Sequence, residues 1–442
     1  MENKKEFDKY FWRFMWSSIL IALSGCLGNV VDAIIVGNLI GADGVSAINL
    51  SKPMVQFMFT ISMLLSTGAG MLVGMELGKK DHRRAAYIFT LSIGGCIGYG
   101  LFMTLCGFLF PTTITGWLCQ SDLLFDYTYE YLRVMMLGAP LYMLAWGMAT
   151  MVGVDGSPRL TSVAILIDNA LNLFLDIVFI KWCGWGIEGS AWATVLGHVV
   201  GVAIMCWHFR YPDNHLKVVL RDNKPAWGII LSQGAPLAVA SICLTLLMFC
   251  SNHIVLTTGG RTFIFAFSVC MNLLQIYNLF LAGTCRTIQS LGAIEVGKGD
   301  SQACKLVVSK SFRFITLAMI VTCALVWMFP EAVAQFFGAD EEDMIAESVR
   351  ALKLYALSLI PFCYIYTLMI VYKLYSYHKM ALFLSFALSL TVIPVMWLVA
   401  RYATDYLWYS FLIAYAIEGA LILLFHKVGH MKFELKTENI EN

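Results

Sequence analysis

"ELGKKD" (76–81) and "EVGKGD" (295–300) each close a long apolar run, nearly the same six residues placed in two distant parts of the chain. Read from Gly292, the second copy spells G-A-I-E-V-G-K, one residue short of a phosphate-binding loop. The chain therefore holds either a nucleotide site or a large internal repeat. A phosphate loop needs a strand before its glycines and Ser or Thr after its lysine. Here an apolar run of membrane length precedes, and Gly299 follows Lys298. The motif reads as a helix end that occurs twice because a larger unit occurs twice. ATP is not the expected energy source.

Composition says what that unit is. The 442 residues are 59% hydrophobic and only 13% charged, against about 25% charge in an average soluble domain. Runs such as 93–118, 139–153 and 314–329 carry no charge, and apolar runs of about 18 residues or more read as membrane-spanning helices. Lipid offers the backbone no hydrogen-bond partner, so a span must be a helix or part of a closed barrel. Strand alternation is absent, so the expectation is an all-α polytopic membrane protein. The net charge of +1 implies no acidic partner, and no nucleic acid is expected. The opening stretch "MENKKEFDKYFWRFMW" lacks a following small-residue cleavage site and reads as a tail leading into a span. The 13 cysteines form no Cys-x-x-Cys pair and lie mostly in apolar runs, which favours buried thiols over disulfides or metal ligands.

Cutting at polar clusters gives twelve spans: 14–40, 45–76, 85–110, 127–153, 159–181, 187–208, 227–257, 262–294, 308–330, 346–373, 380–401 and 406–428. Of 30 basic residues, 22 fall in the tails and connections of one side, six on the other, and only Lys52 and Arg286 lie well inside spans. This bias places both termini in the cytoplasm. The basic stretch 209–226 divides the spans into six (14–208) and six (227–428), between tails 1–13 and 429–442. Across it, Glu76, Gly78, Lys79 and Asp81 answer to Glu295, Gly297, Lys298 and Asp300, and "YLRVMMLGAP" (131–140) answers "LKLYALSLIP" (352–361). Six is an even number, so the copies share one topology, related by an axis along the membrane normal. Two pseudo-twofold-related six-helix bundles around a central cleft are expected, with substrate between the halves.

At this point the residues resemble a known family. "NVVDAIIVGNLIGADGVSAINLSKP" (29–53) is similar to the first-span signature of multidrug and toxic compound extrusion (MATE) transporters, and "GAGMLVGMELGKKD" (68–81) to the end of their second span. "GSPRLTSVAILIDNALNLFLDIVFI" (156–180) and "GIEGSAWATVLG" (186–197) resemble their fifth and sixth spans. The resemblance runs through all twelve spans. It implies export of amphipathic, often cationic compounds, driven by an inward proton or sodium gradient, with no bound cofactor. Two departures stand out. Val154 and Asp155 precede Gly156 where the family often has arginine, and spans 7 and 10 lack the acids that some members carry there.

An ionisable group inside a span is costly and is a functional hypothesis by default. The candidates are Asp32 in span 1, Asp168 and Asp176 in span 5, and Glu418 in span 12. At about 1.5 Å rise per residue, Asp32, Asn172, Asp176 and Thr194 fall within about 8–14 Å of the outer surface. Asp168, Asn172 and Asp176 are spaced i, i+4, i+8 and share a helix face. Asp32, Asn172, Asp176 and Thr194 also match the polar site that the resemblance implies for the N-terminal half. A carboxyl so placed can take a proton outside and release it inside; Asp, Asn and Thr oxygens equally suit sodium. Asp168 is either a deeper station or a structural acceptor. Glu418 could pair with Arg286 or line the opposite lobe. His198 and His253 read as core histidines. Met54, Phe57, Tyr142, Trp146, Met271 and Tyr277 are candidates for the cleft, because aromatic faces bind cations. Lys52 and Arg286 would instead favour an anionic substrate. Glu76 and Glu295, beside lysines at helix ends, are expected to organise the inner gate.

Three function classes remain. The first is a cation-coupled multidrug exporter, monomeric, with the lipid bilayer and small amphipathic substrates as partners. The second is a flippase for lipid-linked or otherwise anionic substrates, supported by Lys52 and Arg286. The third, a structural or receptor-like protein, is disfavoured by the repeat and the intramembrane acids. No nucleophile–base pair, metal motif or cofactor motif appears, so an enzyme is not expected.

Overall fold

Apolar side chains in a medium without water leave the backbone only its own turns as partners, and the chain is accordingly helical almost throughout. The computed structural model describes residues 2–212, 214–222, 225–292, 295–296, 300–375 and 377–429; none of these is in a strand. Among the described residues nine helices are long and apolar enough to cross a bilayer, and the bent pair Asp122–Leu137 and Ala139–Val154 makes ten. The helix Trp227–Thr287 turns at Gly260 and holds spans 7 and 8, and Glu2–Leu39 is span 1. Twelve spans result. Spans 2 and 3 are Ala42–Gly78 and His82–Leu109. Span 5 is Pro158–Asp176, prolonged by a π-helical segment Ile177–Trp182, and span 6 is Gly186–Met205. Spans 9 and 10 are Ser301–Met328 and Glu342–Leu374; span 11 is His378–Leu390 with Val392–Tyr402, and span 12 is Ser410–Gly429. Short helices Pro111–Leu118 and Pro330–Phe336, each opening on proline, follow spans 3 and 9 in the two halves.

The repeated motif is a helix end followed at once by a helix start. Lys79 Nζ donates to Glu76 Oε1 at 2.9 Å, and the Asp81 N–H donates to the Glu76 carbonyl at 2.9 Å. Asp81 then caps span 3 by accepting from the Arg84 N–H at 3.0 Å. In the second copy the Asp300 N–H donates to the Glu295 carbonyl at 3.0 Å, and Asp300 accepts from the N–H groups of Gln302 and Ala303 at 3.0 and 2.9 Å. Both carboxylates satisfy the orphan donors of a first helical turn. Lys80 takes the left-handed backbone, φ 62°; the second copy has Gly299 there, the residue type that adopts it without strain. Gly297, Lys298 and Gly299 lie outside the described residues.

Packing groups the chain into two units: residues 35–257, and residues 1–34 together with 258–442. These differ from the six-span halves 14–208 and 227–428 by an exchange of spans 1 and 7. Side-chain size and polarity explain it. Within the first unit a Cβ on Gly68 would lie 2.1 Å from the Ile230 carbonyl oxygen, and one on Gly234 would lie 2.0 Å from that of Leu64. Two bare backbones are thus in contact where spans 2 and 7 cross, the small-residue packing that membrane helices use. Asn49 and Asn252 seal the same pair of helices, Asn49 Nδ2 donating to Asn252 Oδ1 at 3.0 Å and Asn252 Nδ2 to the Asn49 carbonyl at 2.9 Å. Ser241 of span 7 meets Gln56 and Thr60 of span 2. Such bonds average about 0.6 kcal/mol each in membranes, so they set register more than they supply stability.

The second unit mirrors this with spans 1 and 8. A Cβ on Gly283 would lie 2.5 Å from Ile19 Cγ1, and Phe11, Met15 and Ile19 pack against Leu291 and Val307. Phe11 and Met15 are fully buried, and the helix that contains span 1 begins at Glu2, within the stretch 1–13. The tail beyond Gly429 lies outside the described residues.

Span 4 is likewise not one rod. It bends by 54° between Leu137 and Ala139. Pro140 has no N–H for a helix running through, and a Cβ on Gly138 would lie 2.3 Å from Val195 Cγ2. Pro361, at the matching place in the repeat, leaves span 10 continuous.

The described residues of 209–226 are pinned to the end of the first unit where span 4 closes and span 3 begins. Asp155, at the end of span 4, accepts from the His215 N–H at 2.9 Å and faces His215 Nδ1 at 3.0 Å and His208 Nε2 at 2.8 Å. His208 Nδ1 meets Ser157 Oγ at 2.9 Å, and the His82 ring stacks on His215. Leu216 is buried among span residues, and Arg84 pairs with Asp222. The arginine that the resemblance leads one to expect near this turn is replaced by an acid that anchors the connection.

Candidate functional site

Spans 5 and 6 run antiparallel, and their side chains meet in rungs one helical turn apart. In the outer rung Asn172 Nδ2 donates to Thr194 Oγ1 at 3.1 Å, while Thr194 donates to the Ser190 carbonyl at 3.2 Å. In the next rung inward, Asp168 Oδ2 lies 2.8 Å from His198 Nδ1. The glycines beside His198 make this possible. A Cβ on Gly197 would stand 2.5 Å from Asp168 Oδ1, and one on Gly201 would stand 3.2 Å from Asp168 Oδ2. Span 6 is thus hollowed to receive the carboxylate. The ring of Tyr142 meets that of His198 edge-on at 5.2 Å.

Asp176 stands one turn beyond Asn172 and is fully buried. It ends the regular α-helical part of span 5, and the π-helical segment begins at the next residue; such segments are frequent at functional sites. The sequence-derived stripe 168, 172, 176 is therefore a real helix face, with two of its members paired to span 6. Asp32 is half-buried on span 1 and belongs to the other packing unit. Glu418 is 1% exposed, and neither carboxylate oxygen has a hydrogen bond among the described residues. Arg286 is exposed, and no ion pair joins it to Glu418.

The aromatic and Met candidates divide by exposure. Met54 and Tyr142 pack beside the buried Met58, Met103 and Ala139. Trp146 is 41% exposed and lies edge-on to Phe59. Phe57, Met271 and Lys52 are half-buried. Tyr277 is fully buried. The residue that sequence reasoning passed over is His198. Its signal was spacing: it follows Thr194 by four residues as Asp168 precedes Asn172 by four, which on antiparallel helices sets the two pairs side by side.

Among the described residues no cluster of His, Cys, Asp and Glu has the geometry to hold a resident metal. Among the described residues the cysteines are free thiols, mostly buried, with Cys183 and Cys206 exposed. The MatE family profile matches residues 18–178 and 236–398, one segment in each half. The chain belongs to the MatE family. It is a multi-pass membrane transporter and not an enzyme. Among curated relatives, the multidrug export protein MepA of Staphylococcus aureus (strain MSSA476) is 23% identical over 361 residues, covering 81% of this chain and 79% of the relative. Among solved structures, an inward-facing multidrug resistance MATE transporter of the MOP superfamily superposes with a TM-score of 0.82 at 18% identity, covering 94% and 97% of the two chains. A MOP-superfamily transporter from Pyrococcus furiosus, described as having a binding pocket of reverse polarity, gives 0.72 at 19% identity over 96% and 95%. The duplicated match gives this MatE chain the internal repeat first legible in its two helix-end motifs.

Proposed function

We propose that this MatE protein is a secondary active exporter of small amphipathic, cationic compounds, coupled by antiport to an inward proton or sodium gradient. It works as a monomer by exposing its sites alternately to the two sides of the cell membrane. The observation that carries this reading is the polar face of span 5, on which Asn172 and Asp168 are paired to span 6 and Asp176 is fully buried; Asp32, in span 1, is assigned to the same task. Carboxylates in lipid-embedded helices are too costly to keep as mere packing. MepA, named for multidrug export, supports the substrate class.

Efflux of a cationic dye from cells is expected to collapse when ion gradients are dissipated and to persist under ATP depletion with the gradient clamped. Stoichiometric ATP binding would instead restore the phosphate-loop reading of residues 292–298.

The orientation follows from the 22 basic residues on the side of the tails. A cysteine introduced by Ser301→Cys, just after the second helix-end motif, should react with an impermeant maleimide only after the membrane is opened. Labelling of intact cells at that position would invert the assignment.

A further inference from the structure

We infer that the Asp168–His198 pair is a second protonatable station of the coupling site, and that it makes the proton, not sodium, the coupling ion. The inference rests on the antiport reading above and deepens it by naming the ion.

The outer rung is built from amide and hydroxyl oxygens with the Asp176 carboxylate one turn beyond, a donor set that suits a hard cation as well as a proton. The inner rung differs in kind. With Asp168 ionised, the hydrogen bond at 2.8 Å must be donated by Nδ1–H of His198, because a carboxylate only accepts. That fixes the tautomer and leaves Nε2 with a lone pair. Nε2 is buried and has no hydrogen-bond partner among the described residues. The imidazole and the carboxylate are 20% and 14% exposed, so the pair is screened from solvent without being sealed.

One proton bound at Nε2 turns the rung from a pair with one net negative charge into an imidazolium–carboxylate pair with none. In a medium of low dielectric that removes the dominant electrostatic cost of the site. Sodium has no comparable place in this inner rung. Hard cations are held by several oxygens, whereas this rung presents a ring nitrogen and one carboxylate whose Oδ2 already holds the Nδ1 hydrogen. The groups facing His198 are Asp168 from span 5 and the Tyr142 ring from the second part of span 4. From the first part of span 4, Arg133 is engaged with Glu188 at 3.3 Å, ten residues and so about 15 Å along span 6. Among the described residues, Asp168 is the one ion-pair partner of His198.

The test uses the full-length protein in liposomes, with a cationic dye as substrate and two readouts. Counterflow without any ion gradient measures substrate binding and the conformational cycle. Gradient-driven transport is then measured with a pH jump in sodium-free buffer, and separately with a sodium jump at clamped pH. The parent should respond to the pH jump alone. His198→Asn places an amide nitrogen where Nδ1 stands and so keeps the bond to Asp168, but it binds no proton. It should retain counterflow, lose its dependence on external pH, and fall in pH-driven rate by about 5–150-fold, the span of a typical coupling free energy. His198→Gln, with its amide at the Nε2 position, should fail in the same way.

A sodium-driven parent would overturn the ion assignment. A parent-like pH profile in His198→Asn would overturn the role of the pair, as would loss of counterflow in both variants, which would make His198 structural. If Asp176→Asn is also parent-like, the coupling site itself is misplaced. If Asp176→Asn is uncoupled and His198→Asn is not, only the present inference fails.

Discussion

Asp176→Asn is expected to abolish gradient-driven export while leaving a folded, inserted protein. Asn matches Asp in size and can still hydrogen-bond, so the packing of this fully buried side chain is preserved. What disappears is the ability to bind and release a proton. Coupling works only through a difference in ion binding between the two states of the carrier; a group that cannot change its ionisation contributes none. Asp32→Asn should act similarly, because the coupling reading gives both carboxyls the same task. Asp168→Asn would be mild if Asp168 were only an acceptor, but as half of a protonatable pair it should also uncouple. The measurement is pH-jump-driven dye uptake into inverted vesicles, paired with thermal unfolding of the purified variants. If the Asp176 and Asp32 variants transport like the parent, the N-terminal-half site is wrong. Glu418, which is 1% exposed, is then the next residue to test.

The largest loss of stability is expected at the crossing of spans 2 and 7. Gly234→Ala adds a single methyl group, but its Cβ would stand 2.0 Å from the Leu64 carbonyl oxygen. Backbone cannot rotate away as a side chain can, so the helices must separate along their contact. Overpacking costs about 1–3 kcal/mol where neighbours can yield, and a backbone contact places this site at about 3 kcal/mol or beyond. Gly98→Ala is the control: it is the same substitution within a span, with no atom within 4 Å of the new Cβ. There the change should be neutral or stabilising by about 0.5–1 kcal/mol, since alanine is the better helix former. Opposite shifts of Tm in the two variants are the expected result. A Gly234→Ala protein at least as stable as its parent would mean that the two backbones do not touch.

The spans and the repeat were legible because hydrophobic run length and a copied polar motif are one-dimensional signals. The stripe of Asp168, Asn172 and Asp176 was legible for the same reason, since i, i+4 spacing translates directly into a helix face. The rest depends on contacts between distant segments. Nothing local marks Gly234 as touching Leu64, or Asp155 as the partner of His215 sixty residues on. Exposure of aromatics was also illegible: Trp146 is 41% exposed and Tyr277 fully buried, although both sit in equally apolar surroundings in the sequence. The bend of span 4 had a visible cause in Pro140, but Pro361 in the matching place bends nothing comparable. A proline permits a break; the close approach of Gly138 to Val195 decides where one occurs.

The exchange of spans 1 and 7 bears on how such a chain could have arisen. If the two six-span copies were separate subunits, each lending its first helix to its neighbour, the relation would be called a domain swap. The stretch 209–226 would then be the tether that fused the swapped subunits into one chain. On that view neither copy is a self-sufficient ancestor preserved inside the modern protein. Either copy alone would lack a helix that its own packing unit needs, and would carry one helix with nowhere of its own to pack.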